Sequence, residues 1–295
     1  MSVIRVGSRK SALALAQAAL VMEAVRKLHP AARMELIAMK TAGDRQPGAL
    51  PGEIGGKGLF TRELEAALLE GKIDLCVHSY KDLPVPEHPE LPVLAVGPRE
   101  DARDALVFPL DKPGGDRELP LGSSSRRRIL QLREIYPDWR TEPIRGNILT
   151  RIHKLDEGRF GGLVLAAAGL RRLELWRRAG RVFSLKEMLP AAGQGIIAIQ
   201  GRRGDAHPCL EGVNNQEAWI ASRAERAFLE ELGDGCSAPS AAHAVVSGEA
   251  ITLWAWRADA SGHSRRGKMT GRREEAASLG RKLAKNLGGE LANGG

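Results

Sequence analysis

A chain of 295 residues, 43% of them hydrophobic, is too long for one ordinary core, so two or three domains are expected. No apolar run approaches the ~20 residues of a membrane-spanning helix. The net charge of +8 favours an anionic partner, yet an aromatic content of 4% and the lack of a continuous basic tail argue against nucleic acid.

Residues 3–7 read as a strand, where an export signal would need a longer apolar core, so a cytoplasmic protein is expected. Ser8-Arg9-Lys10-Ser11 leads into a helix over 12–28, rich in alanine and leucine and stopped by His29-Pro30. Residues 34–39 form the next strand. A glycine-rich loop over 41–58 and an amphipathic helix over 59–70, ended by Gly71, follow it. The strand 73–77 completes a β-α-β-α-β alternation, the pattern of a parallel, doubly wound sheet.

Pro84, Pro86, Pro89 and Pro92 stiffen a connector to a strand over 93–96, and residues 101–104 cross into a second unit. That unit reads as a strand over 105–108, helices over 125–136 and 148–157, a buried strand over 162–167 and a helix to 173. A second crossing, 190–195, feeds an apolar strand over 196–199; paired crossings between two α/β lobes imply a cleft. From 215 a long helix runs to 232 with Ala221, Ala224, Phe228 and Leu232 on one face. Strands around 243–248, 251–257 and 264–270 and a helix over 274–287 then predict a small antiparallel α+β domain.

Four segments carry chemistry. His78-Ser79-Tyr80-Lys81-Asp82-Leu83-Pro84 ends an apolar strand in a cation, an anion and a proline, at the sheet edge where α/β proteins bind ligands. A solvated turn with a surface Lys81–Asp82 pair is the plainer reading of that segment alone. Gly122-Ser123-Ser124-Ser125-Arg126-Arg127-Arg128 opens a helix with capping serines and guanidinium groups able to grip carboxylate or phosphate; solvated arginines on a capped helix are the alternative. Neighbours on a helix diverge, so one of the three arginines is expected to be spare. Arg145-Gly146-Asn147 with Arg151, and Arg171-Arg172, repeat the turn-to-helix arginine pattern set by Arg9.

The fourth segment is Gly233-Asp234-Gly235-Cys236-Ser237-Ala238-Pro239. Cys76 sits in an apolar strand and reads as core, and Cys209 has no informative context. Cys236, on a glycine-flanked loop, is either a bystander or a nucleophile or attachment point. Three widely spaced cysteines suit a reducing compartment, and the absence of Cys-x-x-Cys and His-x-x-x-His pairs predicts no structural zinc. Two tempting motifs fail. Gly55-Gly56-Lys57-Gly58 lacks the P-loop's first glycine (Pro51) and its serine or threonine (Gly58). Gly193-Gln194-Gly195 precedes a strand instead of opening a helix.

The motifs His78 to Pro84, Gly55-Gly56-Lys57-Gly58-Leu59-Phe60, Arg145-Gly146-Asn147, Ala191-Ala192-Gly193-Gln194-Gly195 and Gly235-Cys236 stand in the order found in the hydroxymethylbilane synthase, or porphobilinogen deaminase, family, which the chain resembles from Arg5 to its last helix. The resemblance implies an α/β fold: two doubly wound lobes similar to type II periplasmic binding proteins, with a small C-terminal α+β domain carrying an antiparallel sheet. The domains expected are 1–98 with 196–213, 99–195, and 214–295. It implies a transferase of tetrapyrrole (heme) biosynthesis that condenses four porphobilinogens head to tail, releasing ammonia at each step, and hydrolyses the product to hydroxymethylbilane. The growing chain would be built on a dipyrromethane cofactor held as a thioether by Cys236.

By the same resemblance Asp82 is the catalytic carboxylate, stabilising the cationic azafulvene left by ammonia loss. Lys81, Asp82, Ser123, Ser124, Arg127, Arg128, Arg145 and Gly146 would contact the cofactor. Arg9, Ser11, Lys57, Phe60, Arg151, Arg172 and Gln194 would contact substrate, and no metal is implied. Arginine suits the task, since each pyrrole carries acetate and propionate. A monomer with a small-molecule substrate and no nucleic-acid or membrane partner is expected. Glu53, where some relatives have lysine, and Arg126, where an apolar residue is common, depart from the family pattern and receive no binding role. A solute-binding protein would share the lobes but not need the Cys236 loop; a nucleic-acid-binding protein would explain the charge but not Asp82.

Overall fold

The computed structural model describes residues 3–41, 61–233, 239–259 and 261–288. The chain packs as two compact units, residues 1–100 with 196–219, and residues 101–195 with 220–295.

In the first unit β1 (Ile4–Arg9) runs parallel to β2 (Met34–Met39) and to β3 (Leu75–Ser79). Helix α1 (Ala12–Leu28) links β1 to β2; Ser11 caps it by accepting the Ala14 N–H at 3.3 Å. Its buried face, Ala18, Val21, Met22 and Val25, packs on Val6, Leu75 and Val77. Helix α2 (Arg62–Leu69) covers the opposite face, burying Leu64, Ala67 and Leu68 against Ile73, Cys76 and Leu91. Cys76 is a core residue, as its context implied. The sheet is completed by β4 (Val93–Val96) and β10 (Ile197–Gly201) in the order β2-β1-β3-β10-β4. The three strands of the β-α-β-α-β unit are parallel as expected, and β10, which joins them, is antiparallel to both β3 and β4. It arrives from the second crossing, not from a β-α-β unit, so nothing forces it to run parallel.

The second unit repeats the topology. Its strands are β5 (Asp104–Val107), β6 (Leu121–Gly122), β7 (Thr141–Glu142), β8 (Gly162–Ala166) and β9 (Ala179–Val182), ordered β7-β6-β8-β5-β9. Again four strands run one way, and β5, the entering strand, is antiparallel to its neighbours. Helices α3 (Arg126–Ile135), α4 (Ile148–Asp156) and α5 (Ala167–Arg172) complete the lobe.

Beyond it, β11 (Ser240–Ser247), β12 (Ala250–Ala258) and β13 (Ser264–Arg272) form the expected antiparallel sheet. One face, with Ala242, Ala244, Ile251, Leu253 and Ala255, packs on α6 (Gln216–Leu232) and α7 (Ala276–Gly288) through Ala224, Phe228, Leu279 and Leu283. The two helices approach so closely that a Cβ at Gly280 would lie 2.2 Å from the Ala224 carbonyl oxygen. The other face carries the buried Trp256, which packs with Ala241, Ala258 and Leu189. Ser264 and Arg266 reach Glu134 of α3 at 2.7 and 3.2 Å, tying this sheet to the second lobe.

Candidate active site

In the first unit a pocket opens at the carboxyl ends of β1 and β3, lined among others by Arg9, Ser11, Gln17, Thr61, His78, Ser79 and Asp82. This is where parallel strand ends leave a crevice. β3 stops at Ser79, and a single 3₁₀ turn, Tyr80–Asp82, follows. Tyr80 is buried and donates from its hydroxyl to Glu87 at 3.0 Å, which anchors the turn. Lys81 is left half-buried and Asp82 exposed, with no ion-pair partner for Asp82 among the described residues. The surface-pair reading therefore loses its basis. Gln17, buried on α1, donates to Ser79 Oγ at 2.9 Å.

In the second unit the three serines diverge in role. Ser125 caps α3 by accepting the Arg128 N–H at 3.4 Å, and Ser123 accepts the Ser125 N–H at 3.3 Å. Ser124 Oγ donates to the Ile144 carbonyl at 2.7 Å. Arg126 is exposed. Arg127 and Arg128 are buried, and both pair with Asp104 at the start of β5, at 2.8 and 2.7 Å. Arg127 also donates to the Leu189 carbonyl and Arg128 to that of Val164. Gln194 Nε2 reaches the same Asp104 oxygen as Arg128, at 2.9 Å. Burial raises the Asp104 carboxyl pKa, but the two guanidinium groups outweigh burial and hold it well below the usual carboxylate range.

Close by in sequence, Gly146 takes φ +112, and a Cβ there would strike Thr150 at 2.7 Å; only glycine fits this turn. Its carbonyl accepts from Arg151 Nε at 2.7 Å, while Asn147 caps α4 through the Thr150 N–H. Arg145 and Arg151 are half-buried, and Arg172 donates to the Gly195 carbonyl at 2.6 Å. The Ala191–Gly195 turn is pinned through the Gly193 N–H by the fully buried Glu225 at 2.7 Å.

Sequence reasoning missed Asp104, Glu225, Gln17 and Thr61, and quoted His78 and Ser79 within their motif without giving either a role. A polar glutamine in the alanine-rich α1 was a readable signal; Asp104 looked like part of a crossing. Lys57, Phe60, Glu53 and Cys236 lie outside the described residues. Among the described residues no cluster of acids, histidines and cysteines could hold a metal.

Two family models match the chain: the porphobilinogen deaminase dipyrromethane cofactor binding domain over residues 4–209, and the porphobilinogen deaminase C-terminal domain over 219–289. The chain belongs to the porphobilinogen deaminase family. It is 47% identical over 288 residues to the porphobilinogen deaminase of Ruminiclostridium josui, covering 97% of this chain and 98% of that one. It is 42% identical to that of Acidothermus cellulolyticus, covering 97% and 89%. Among solved structures it resembles the BenM effector binding domain with benzoate (14% identity, 72% and 88% coverage, TM-score 0.42). A second likeness is the BvgS VFT2 domain of Bordetella pertussis (16%, 74% and 87%, TM-score 0.40).

The family's dipyrromethane carries four carboxylates and two pyrrole N–H groups. Residues of the chain fit that chemistry: Arg9 and Ser11 offer donors beside the acceptor Asp82 in one pocket, and Arg127 with Arg128 exceed Asp104 by one positive charge.

Proposed function

We infer that the chain is a transferase of tetrapyrrole biosynthesis that condenses four porphobilinogen molecules head to tail and hydrolyses the product to hydroxymethylbilane. The observation that carries this is membership of the porphobilinogen deaminase family over nearly the whole chain, supported by a strand-end pocket that groups Arg9, Ser11 and Asp82. The dipyrromethane, attached through Cys236, supplies when bound the pyrrole end that accepts the first substrate.

Asp82 is the catalytic residue of this reading. At each addition the aminomethyl carbon–nitrogen bond of a substrate breaks with its electron pair leaving on nitrogen. Asp82 delivers a proton to that amine, which departs as ammonia, and its carboxylate then offsets the charge of the azafulvene cation left on the substrate; a pyrrole carbon then bonds to the exocyclic carbon of that cation, and the proton it sheds returns to Asp82. Its exposure at the rim leaves it accessible to an incoming substrate. Arg9 and Ser11, with Lys57, Phe60, Arg151, Arg172 and Gln194, bind substrate. Lys81, Ser123, Ser124, Arg127, Arg128, Arg145 and Gly146 bind the cofactor, the two buried arginines being set in place by Asp104.

We assign three functional domains, 1–98 with 196–213, 99–195 and 214–295, one to each sheet. A cytoplasmic monomer without nucleic-acid partner is our reading. Buried, unpaired Cys76 and Cys209 suit a reducing compartment, and among the described residues the exposed large apolar side chains, such as Leu20, Leu69, Leu149 and Val245, stand on different elements. No helix among the described residues is long and apolar enough to cross a membrane. Incubation of the purified protein with porphobilinogen tests the activity: four ammonia should appear per hydroxymethylbilane. Substrate consumption without ammonia refutes it.

A further inference from the structure

His78 lies in the pocket wall beside Asp82's turn, yet its side chain is 6% exposed and polar. It sits on the face of β3 that also carries Cys76, and its Nε2 lies 3.1 Å from Gln200 Oε1 on β10. The Gln200 amide is not free to turn. Its Nε2 donates to the Leu91 carbonyl at 2.8 Å and reaches Glu65 Oε1 at 3.4 Å, so a flipped amide would set oxygen against two oxygens. Glu65 in turn accepts from Thr61, another residue of the pocket wall. Because Gln200 presents only its oxygen, His78 Nε2 must carry the proton, and Nδ1 is the ring's acceptor. Among the described residues Nδ1 has no hydrogen-bond partner. Nδ1 is not one of the sealed polar atoms left without a partner, so it is reached from the pocket that the ring borders and can accept from a molecule bound there.

We propose that His78 determines specificity for the pyrrole substrate by accepting, at Nδ1, a hydrogen bond from a substrate N–H bound in the Arg9–Ser11–Asp82 pocket. The proposal rests on the functional reading above. Burial drives the imidazole pKa down to about 4, against the Gln200 hydrogen bond and with help from the Arg9 charge, so the lone pair persists at neutral pH. The charged groups facing the ring are Arg9 from β1 and Glu65 from α2, the latter through Gln200. A neutral acceptor between a guanidinium and a carboxylate selects for a donor that is not itself a carboxylate, which complements the arginines that take the acidic arms.

Three substitutions separate the possible roles, since asparagine places its amide near the position of Nδ1 and glutamine near that of Nε2. Steady-state kinetics with porphobilinogen, intact-protein mass and thermal melting are read on each. His78→Phe and His78→Gln should raise KM about tenfold with unchanged cofactor mass, and His78→Asn should stay within threefold of the parent. Rescue by glutamine but not asparagine would assign His78 to the Gln200 tie alone and overturn the proposal. Parental KM in all three, or equal losses that track a fall in melting temperature, would overturn it too. A parent chain inert toward porphobilinogen would instead sink the functional reading on which the proposal stands.

Discussion

Asp104→Asn removes the carboxylate charge that faces two buried guanidinium groups while keeping the side-chain volume. At 2.7 to 2.8 Å and an effective dielectric of about 20, each Asp104–arginine attraction is roughly 6 kcal/mol before desolvation. Most of that is offset by the cost of burying the ions. What the substitution exposes is two like charges without a counter-ion, and breaking a buried pair in this way costs about 3–5 kcal/mol. For a unit of this size that is a fall in melting temperature of roughly 10 °C. Asp101→Asn is the control: its partner Arg103 is 43% exposed, so the loss should stay under about 1 kcal/mol. Urea unfolding of both variants at neutral pH decides the matter. A loss below about 1 kcal/mol in Asp104→Asn would show that the arginines do not depend on Asp104, and the account of their placement would fall. The sign with pH is also fixed. A carboxyl whose native pKa is depressed contributes stability above its unfolded value, near 3.8, and that contribution is lost as pH falls toward the native value, so the gap between parent and variant should narrow in acid.

Asp82→Asn should fold and carry the cofactor mass but lose turnover at least ~10²-fold in steady-state assays, whereas parental turnover would show that Asp82 is not catalytic. Arg126→Leu should be mild, while Arg127→Leu and Arg128→Leu should each lower the melting temperature and impair cofactor loading; equal small effects at all three would remove the binding role. Cys236→Ser should abolish the added mass of two linked pyrroles, with Cys76→Ser and Cys209→Ser retaining it, and an unmodified mass in active parent protein would refute the attachment. His78 takes up a proton at about 4 when folded against 6.5 unfolded, so the parent should lose up to about 3 kcal/mol between pH 6.5 and 4, a loss that His78→Phe should largely remove. His207, also lowered by burial, adds a residual slope of the same sign.

Long elements were legible because their signals are local. The alanine-rich α1 with its Ser11 cap and His29 stop falls on Ala12–Leu28, and the Ser125 cap starts α3 at Arg126. The strands missed were β6 and β7, two residues each, and β9, too short for any period to register. The direction of β10 was illegible for a different reason: periodicity reports which face of a strand is buried, not which way its neighbours run. For the site, motif residues such as Asp82 and Arg9 were readable as a strand end and a turn, and the pocket joins them. Asp104 was not, because its meaning comes from pairings 23 and 24 residues away in sequence.

That long-range pairing also accounts for a buried carboxylate in the site we propose to bind carboxylates. Unanswered, Arg127 and Arg128 would repel each other in a buried setting and could not be held side by side on one turn of α3. Asp104 brings them together and fixes each guanidinium plane: Arg128 through Nε and Nη2, Arg127 through Nη1. One carboxylate against two guanidinium groups still leaves a positive charge, so orientation is gained without cancelling the attraction for an anion. Gln194, bonded to the same oxygen, ties that arrangement to the Ala191–Gly195 turn, and Glu225 ties the turn to α6 and β11. Arg127 and Arg128, the turn and the C-terminal sheet thus share one polar framework, and a substitution at Asp104 should be felt at all three.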